Sequence, residues 1–292
     1  MRLPHFEYLQ PKTLEEACSL LAAHPREISP LAGGTDLLVK MKQRRMVPRY
    51  VLNLKGIPGM DYITYDENQG LRIGALATIQ SLKNSVVAKR RCSILAAAAA
   101  VESSVQIRNI ATLGGNIANA SPAADAPLAL VALGASLLIA RSGGQREVLL
   151  EDFFTGPGET LLQPDEIIRE IRVPPLSART GGAYLKHAMR RTDIAIVSCA
   201  VVLTLGDDLC SDARIGLGSV GPTAFRARRA EGQLKGKRIT DDIADAAAQA
   251  AVDESRPIDD IRGHAEYRTT TVLAITKQAI MQALQDARLG GV

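Results

Sequence analysis

Two glycine-rich segments constrain the fold of this chain more than any other feature of its sequence. The first glycine segment, residues 31–38, reads LAGGTDLL, and the second, residues 112–125, reads TLGGNIANASPAAD. Glycine tolerates positive φ and lets a backbone approach a ligand closely, and successive N–H groups in such a turn bind anions. One Gly-Gly pair alone is typical of an ordinary turn. Two pairs, each after an apolar stretch and each with a carboxylate, favour a ligand with a central pyrophosphate, such as a dinucleotide.

The acidic residues of the two segments suit a different part of such a ligand. Asp36 and Asp125 carry the same sign of charge as a phosphate and would repel it. Their carboxylates accept hydrogen bonds. We therefore expect them to face ribose hydroxyls, the edge of a flavin ring or backbone N–H groups.

The composition is that of an ordinary globular chain and disfavours nucleic-acid binding. At 292 residues, with 46% hydrophobic and 23% charged residues, the chain is long enough for one large domain or two. Aromatic residues make up only 3%, which argues against stacking platforms for single-stranded nucleic acid. The net charge is +4, and the basic runs at 40–45 and 226–229 have no base-reading module beside them. Solvated surfaces or contact with an acidic partner subunit fit these runs better.

No targeting segment and no cysteine motif is recognisable in the sequence. The N-terminus lacks a basic region leading into an apolar run, and the apolar stretch 94–101 is too short to span a bilayer. The four cysteines form no CxxC pair, so their spacing indicates neither a zinc site nor an iron–sulfur cluster. We expect a cytoplasmic protein with reduced thiols and no membrane insertion.

Hydrophobic patterns divide the chain into three regions. Residues 1–56 predict a small α/β lobe around the first glycine segment, with Thr13 as the N-cap of a helix. Residues 57–176 predict a second lobe, in which the second glycine segment is a loop between two helices. The Pro-, Ser- and Gly-rich stretch 174–182 predicts a boundary. Beyond it, residues 180–292 predict a third region with strands over 183–189, 195–205 and 213–220, followed by helices over 241–254 and 269–287.

A third glycine motif, GLGSVG at 216–221, matches the G-x-G-x-x-G pattern of nicotinamide-binding turns. That fingerprint requires a strand before it and a helix that starts within it. Here Pro222 follows, and the next twenty positions are basic and polar, so they lack the apolar face of a crossover helix. We interpret the motif as a strand end with a tight turn.

The sequence offers no catalytic or metal-binding constellation of its own. The four histidines show no HExxH spacing, and no G-x-S-x-G elbow occurs. His187, beside Lys186, fits a strand side chain better than a catalytic base. We therefore predict no catalytic residue and no metal ligand in this chain, and expect a bound cofactor to supply the chemistry.

Together the two glycine segments resemble those of the FAD-binding subunit of the molybdenum hydroxylases, the family of xanthine dehydrogenase and aerobic carbon monoxide dehydrogenase. The pattern is AGGTDLL, then ATLGGN and ASPAAD; the likeness continues through PDEII at 164–168 and AYLKHAMRRTDIA at 183–195. The resemblance implies an α+β fold. Its parts are a two-lobed FAD-binding domain of the vanillyl-alcohol oxidase / p-cresol methylhydroxylase type and a small C-terminal domain. The latter has a three-stranded antiparallel sheet with helices.

The resemblance also implies the residues that contact FAD. The first segment wraps one side of the pyrophosphate, the second approaches the other side, and the N–H groups of both glycine pairs bind the anion. Asp36 and Ile194 flank the flavin ring, and Glu102 stands where xanthine dehydrogenase has an aromatic residue that stacks on adenine. The implied FAD contacts are Leu31, Ala32, Gly33, Gly34, Thr35, Asp36, Leu37, Thr112, Leu113, Gly114, Gly115, Asn116, Asp125, Ile168, Lys186 and Ile194.

Partner subunits follow from the same resemblance. An iron–sulfur small subunit and a molybdenum large subunit accompany the flavoprotein in a heterohexamer, a dimer of heterotrimers. Electrons pass from substrate at the molybdopterin cofactor through [2Fe–2S] clusters to FAD, and then to NAD or another acceptor. This division of labour agrees with the absence of a cluster motif from the sequence.

Three alternatives remain open from the sequence. A stand-alone flavin oxidoreductase usually has a substrate domain larger than the remaining hundred or so residues. A non-catalytic nucleotide-binding protein would also use glycine segments. The flavin subunit of 4-hydroxybenzoyl-CoA reductase carries a cysteine-bearing insertion after the second segment, and here no cysteine lies between Cys92 and Cys199.

Overall fold

The N-terminal part of the chain forms a small three-stranded parallel sheet, in a computed structural model that describes residues 2–291. Its elements are β1 (Glu7–Leu9), α1 (Leu14–Ala23), β2 (Ile28–Leu31), α2 (Leu37–Lys42) and β3 (Tyr50–Asn53). The strand order is β1-β3-β2. Thr13 caps α1 as predicted, because its Oγ1 accepts the N–H of Glu16 at 3.1 Å. The first glycine segment therefore begins at the end of β2 and leads into α2.

The next part forms a five-stranded antiparallel sheet with short helices around it. Its elements are β4 (Ile63–Asp66), β5 (Gly70–Gly74), α3 (Ile79–Asn84), α4 (Val86–Arg91), α5 (Ser93–Val101), α6 (Val105–Arg108), α7 (Leu113–Ala118), α8 (Asp125–Leu133), β6 (Ser136–Arg141), β7 (Gly144–Leu149), α9 (Leu150–Phe153), β8 (Phe154–Gly156), β9 (Glu159–Thr160) and β10 (Ile167–Val173). The strand order is β4-β5-β10-β6-β7, and β8 and β9 pair separately. Buried residues of both sheets share one hydrophobic core.

The C-terminal part has a four-stranded antiparallel sheet with three helices. Its elements are β11 (Thr180–His187), β12 (Val197–Gly206), β13 (Leu209–Gly218), β14 (Phe225–Arg226), α10 (Arg228–Leu234), α11 (Asp241–Glu254) and α12 (Ala265–Arg288). The strand order is β11-β12-β13-β14. The prediction of a three-stranded sheet is wrong, because the sheet has a fourth strand, β14, at its edge. With only two residues, β14 is too short to show the alternation by which a sequence reveals a strand.

Helix α8 lies at the centre of the molecule. All of its residues, DAPLALVAL, are buried, as expected for a helix that is apolar on every side. It packs against α5 on one side and against β12 and β13 on the other. Its first residue, Asp125, is therefore a carboxylate held at the junction between the second sheet's helices and the C-terminal sheet.

The second glycine segment differs from the loop that we expected. Residues 113–118 form helix α7, capped by Thr112, whose Oγ1 accepts the N–H of Gly115 at 3.2 Å. Glycine disfavours helices, but close packing requires a glycine at this position of α7. A Cβ at Gly114 would lie 2.7 Å from both the Cβ and the carbonyl oxygen of Ala75. Only glycine lets α7 lie this close to the residue that follows β5.

The motif at 216–221 is the strand end that we predicted. Strand β13 ends at Gly218, bends follow it, and the next helix, α10, begins ten residues later at Arg228. Strand β13 pairs antiparallel with both of its neighbours, so this is no βαβ unit. Within residues 2–291, no helix is both long and apolar enough to cross a membrane.

Candidate functional site

One cavity of about 630 Å³ unites the predicted site residues. Its wall includes all of the predicted contacts except Leu31 and Leu113. Leu113 is instead fully buried in the core, and Leu31 belongs to β2, paired with β3. The volume lies in the range of sites that enclose a sizeable organic ligand.

The first glycine segment, whose residues 32–37 line this cavity, carries a row of unused hydrogen-bond donors. Among residues 2–291 no protein acceptor is found for the N–H groups of Gly33, Gly34, Thr35 and Asp36. Gly34 has φ of +75°, which turns the chain in a way that only glycine adopts readily. Consecutive N–H groups in such a turn form an anion-binding concavity.

Glycine at position 33 is required by a close backbone contact. A Cβ there would lie 2.5 Å from the carbonyl oxygen of Ile110 and 2.8 Å from Cα of Ala111. The first segment therefore lies directly against the residues that precede α7. The two glycine segments, which are far apart in sequence, form adjacent parts of one wall.

The second glycine segment contributes shape rather than free N–H donors. Gly114 donates its N–H to the carbonyl oxygen of Ala75 at 2.9 Å, and Gly115 donates its own to Thr112 Oγ1 at 3.2 Å. The expectation that these two N–H groups bind the anion is therefore contradicted by their existing bonds. A Cβ at Gly115 would lie 2.9 Å from Thr112 Oγ1, which caps α7, and 3.8 Å from the Cβ of Ala32, so glycine here leaves room for the capping hydroxyl beside the first segment.

Polar side chains that the sequence did not reveal connect α2 with α7. Lys40 donates from Nζ to Asn119 Oδ1 at 2.8 Å, and Asn119 donates from Nδ2 to Asp36 Oδ1 at 3.2 Å. All three line the cavity. Lys40 belongs to the basic run at 40–45, which was the only sequence signal for it.

The side-chain oxygen of Asn116 is buried without a partner among residues 2–291, and Asn116 also lines the cavity.

A buried ionic cluster forms another part of the wall. Lys186 donates from Nζ to Asp125 Oδ2 at 2.7 Å, and the Tyr184 hydroxyl donates to Asp125 Oδ1 at 2.5 Å. The side chains of Lys186 and Asp125 are each only 5% exposed. Burial raises the pKa of Asp125, and the bonds from Lys186 and Tyr184 oppose that rise. Burial and the adjacent Asp125 raise the pKa of Tyr184 well above its usual value, so its hydroxyl keeps its proton.

Two of the predicted contacts, Ile168 and Ile194, approach the cavity from a strand and from a connection between strands. Ile168 is buried in β10, just before a register irregularity in its pairing with β6. Ile194 lies in the connection between β11 and β12 and is 62% exposed. Its neighbours Thr192 and Asp193 also line the cavity, and we did not predict them. The C-terminal part of the chain therefore completes the wall.

Comparison with known proteins decides the family. Residues 4–176 match the model described as the FAD binding domain in molybdopterin dehydrogenase, and residues 183–283 match the CO dehydrogenase flavoprotein C-terminal domain. This chain belongs to the flavoprotein family of the molybdopterin dehydrogenases. The resemblance that the glycine segments indicated is thereby confirmed.

Full-length relatives support the same assignment. The chain is 36% identical over 280 residues to the carbon monoxide dehydrogenase medium chain of Hydrogenophaga pseudoflava, covering 96% of this chain and 97% of the relative. It is 32% identical over 282 residues to the xanthine dehydrogenase FAD-binding subunit of Escherichia coli O157:H7, covering 96% of each. A solved structure of the Hydrogenophaga pseudoflava carbon monoxide dehydrogenase that lacks the Mo-pyranopterin moiety matches with a TM-score of 0.94. The two sequences are 37% identical, and the match covers 98% of this chain and 99% of the chain in the solved structure.

As a member of this family, the chain is the FAD-binding medium subunit of an oxidoreductase complex of the molybdenum hydroxylase type. The residues present fit such a cofactor. Among residues 2–291 the N–H groups at 33–36 and the buried side-chain oxygen of Asn116 have no protein partner, and all of these residues line the cavity. Within residues 2–291 no cluster of His, Cys, Asp or Glu could hold a metal ion.

Proposed function

We propose that this subunit binds FAD in the cavity and relays electrons from [2Fe–2S] clusters of a partner subunit to NAD or another acceptor. The observation that carries the proposal is the row of N–H groups at 33–36, which have no acceptor among residues 2–291 and belong to residues of the cavity wall. Such a row favours a pyrophosphate. When bound, the flavin supplies redox chemistry that the side chains around the cavity lack.

The residues of the chain bind and orient the cofactor in this proposal. The first segment, residues 31–37, holds the pyrophosphate, and the hydroxyls of Thr35 and Thr112 add directional hydrogen bonds. Asp36 and Ile194 lie beside the flavin ring, and Ile168 contacts FAD through its backbone. Lys186 contributes a cation that is already fixed in place by Asp125. Support for these roles comes from the cavity wall, which includes all of these residues except Leu31.

We also propose the domain organisation and the assembly that the resemblance implies. Residues 1–56 and 57–176 are the two lobes of a vanillyl-alcohol oxidase-type FAD domain, and residues 180–292 are the C-terminal domain. The separate three-, five- and four-stranded sheets support this division. An iron–sulfur subunit and a molybdenum subunit complete a heterohexamer. The four cysteines are unpaired and buried, as is usual in a reducing compartment such as the cytoplasm.

The electron relay is tested by reconstitution with the partner subunits. The flavin absorbance of the isolated FAD-loaded chain should not bleach with the complex's substrate alone. It should bleach when the iron–sulfur and molybdenum subunits are added. A mutant host without this chain should lose transfer to the acceptor while it keeps the molybdenum subunit. Full substrate-to-acceptor turnover by this polypeptide alone would contradict the proposal.

A further inference from the structure

Glu102 is a carboxyl group of the cavity wall for which the fold provides little support as an anion. It follows the last residue of α5 and is 8% exposed. The only hydrogen bond to its side chain within residues 2–291 comes from the N–H of Ala126 to Oε2, at a long 3.3 Å. The carboxyl group follows the C-terminal end of α5, whose dipole disfavours an anion, and meets the first turn of α8, whose dipole favours one, so the two helix ends oppose each other.

The charged groups around Glu102 do not compensate for its burial. From α8, Asp125 adds a second negative charge, which raises the pKa of Glu102. The Lys186 ammonium on β11 lowers that pKa, but it already bonds Asp125 Oδ2 at 2.7 Å. From α6, Arg108 donates to the backbone carbonyl oxygen of Glu102 at 2.9 Å, so its guanidinium binds the main chain. Two further groups act at longer range. The Tyr184 hydroxyl bonds Asp125, and Asp36 adds another negative charge.

These surroundings favour the neutral acid. Burial, and then the Asp125 carboxylate, raise the pKa of Glu102 to about 8. A protonated carboxyl group carries an O–H donor beside a carbonyl acceptor. Unlike the ionised carboxylates of the site, it can therefore donate a hydrogen bond to a ligand.

We propose that Glu102 meets the bound dinucleotide as a neutral carboxylic acid and donates a hydrogen bond to one of its ring nitrogens or oxygens, so that FAD binding is coupled to a proton. This inference rests on the proposed binding of FAD in the cavity. The acceptor atom belongs either to the AMP half or to the flavin half of the cofactor. Both halves carry suitable atoms.

The test is the pH dependence of FAD affinity, measured by quenching of flavin fluorescence on the apoprotein from about pH 6 to 9.5. Because binding takes up a proton above the pKa of the free Glu102, the Kd of the wild type should be flat at lower pH. It should then rise up to about tenfold per pH unit above pH 8. Glu102→Gln keeps a donor without a charge, so its Kd should stay near the low-pH wild-type value at every pH. Glu102→Leu should bind about threefold to tenfold more weakly, also without pH dependence.

Control experiments separate the coupling of FAD binding to Glu102 protonation from other effects of pH. Glu266 is exposed, without a hydrogen bond from its side chain among the described residues, and Glu266→Gln should keep the wild-type pH profile. Titrations with FMN, for the flavin half, and with ADP, for the adenine half, show which half of FAD contacts Glu102. Only the Kd of that half should rise with pH. A flat wild-type profile, or the same rise in Glu102→Gln, would overturn the inference while FAD binding stands. Absence of FAD binding at every pH would overturn the proposed function as well.

Discussion

At the scale of single residues, the two glycine pairs have different physical roles. Gly33 and Gly34 create a turn with free N–H donors, whereas the N–H groups of Gly114 and Gly115 are already bonded inside the protein. The second pair instead leaves room for close contacts: Gly114 with Ala75, and Gly115 with the capping hydroxyl of Thr112. A side chain at Gly115 should therefore disturb both the capped start of α7 and the cavity wall beside it.

Gly115→Val tests this distinction. The added carbons would clash with Thr112 Oγ1 and approach Ala32, which displaces the cavity wall at the start of α7. FAD affinity should therefore fall about tenfold to a hundredfold, or about 1.4 to 2.8 kcal/mol. Calorimetric titration with FAD measures the change. Gly232→Ala is the control, because a Cβ in this position of α10 meets nothing within 4 Å. Gly218→Ala is unsuitable, since its Cβ would lie 2.5 Å from Ser198 Oγ. Unchanged affinity in Gly115→Val would place the cofactor elsewhere.

A second residue-scale prediction concerns the buried pair of Lys186 and Asp125. Lys186→Met leaves a buried carboxylate without its cation, so the free energy of unfolding should fall by about 3 kcal/mol. Urea denaturation at neutral pH measures this loss. Lys277→Met removes a lysine that pairs with Asp245 on the surface and should change stability little. If the two variants were equally stable, the cluster would have no structural role.

At the scale of elements, the sequence predicted what depends on local pattern and missed what depends on packing. The helix capped by Thr13 and the strand end at Gly218 follow from local rules. Helix α7 could not be predicted, because its two glycines disfavour a helix until Ala75 is packed against them. Strand β14 was too short to detect. The contacts of Asp125 with Tyr184 and Lys186, 59 and 61 residues away in sequence, required the tertiary fold.

Strand β10 offers an element-scale prediction about pH. Glu170 lies in this central strand with a side chain only 1% exposed and accepts bonds from Arg72, Arg172 and Tyr62. Burial raises the pKa of Glu170, but the bonds from Arg72, Tyr62 and Arg172 together lower it below its usual value. Its stabilising effect is therefore present above the unfolded pKa and lost as the pH falls through the folded pKa.

Glu170→Gln should accordingly be less stable than the wild type at pH 7 by about 1.5–3 kcal/mol, the range for hydrogen bonds to a charged group. The difference should shrink as the pH falls below the carboxyl's ordinary value of 4.5. Chemical denaturation at a series of pH values measures both effects. A constant difference down to low pH would show that the Glu170 charge does not stabilise the sheet.

At the scale of the whole molecule, all three sheets converge on one cavity. The first glycine segment follows β2, Ile168 comes from β10, and Lys186 comes from β11. Helix α8 links these parts, since it packs against α5 and against the C-terminal sheet and begins with Asp125. We expect a cofactor held by residues from all three parts to stabilise them together, because a ligand that binds only the folded state raises its stability.

The central claim is that this cavity holds FAD, and equilibrium titration of the purified, flavin-free chain with FAD tests it most directly. The account predicts that one equivalent of FAD binds per chain, with the visible absorbance of a bound flavin and a higher melting temperature. A chain that is folded by circular dichroism, yet stays colourless and melts at the same temperature with saturating FAD, would contradict the account.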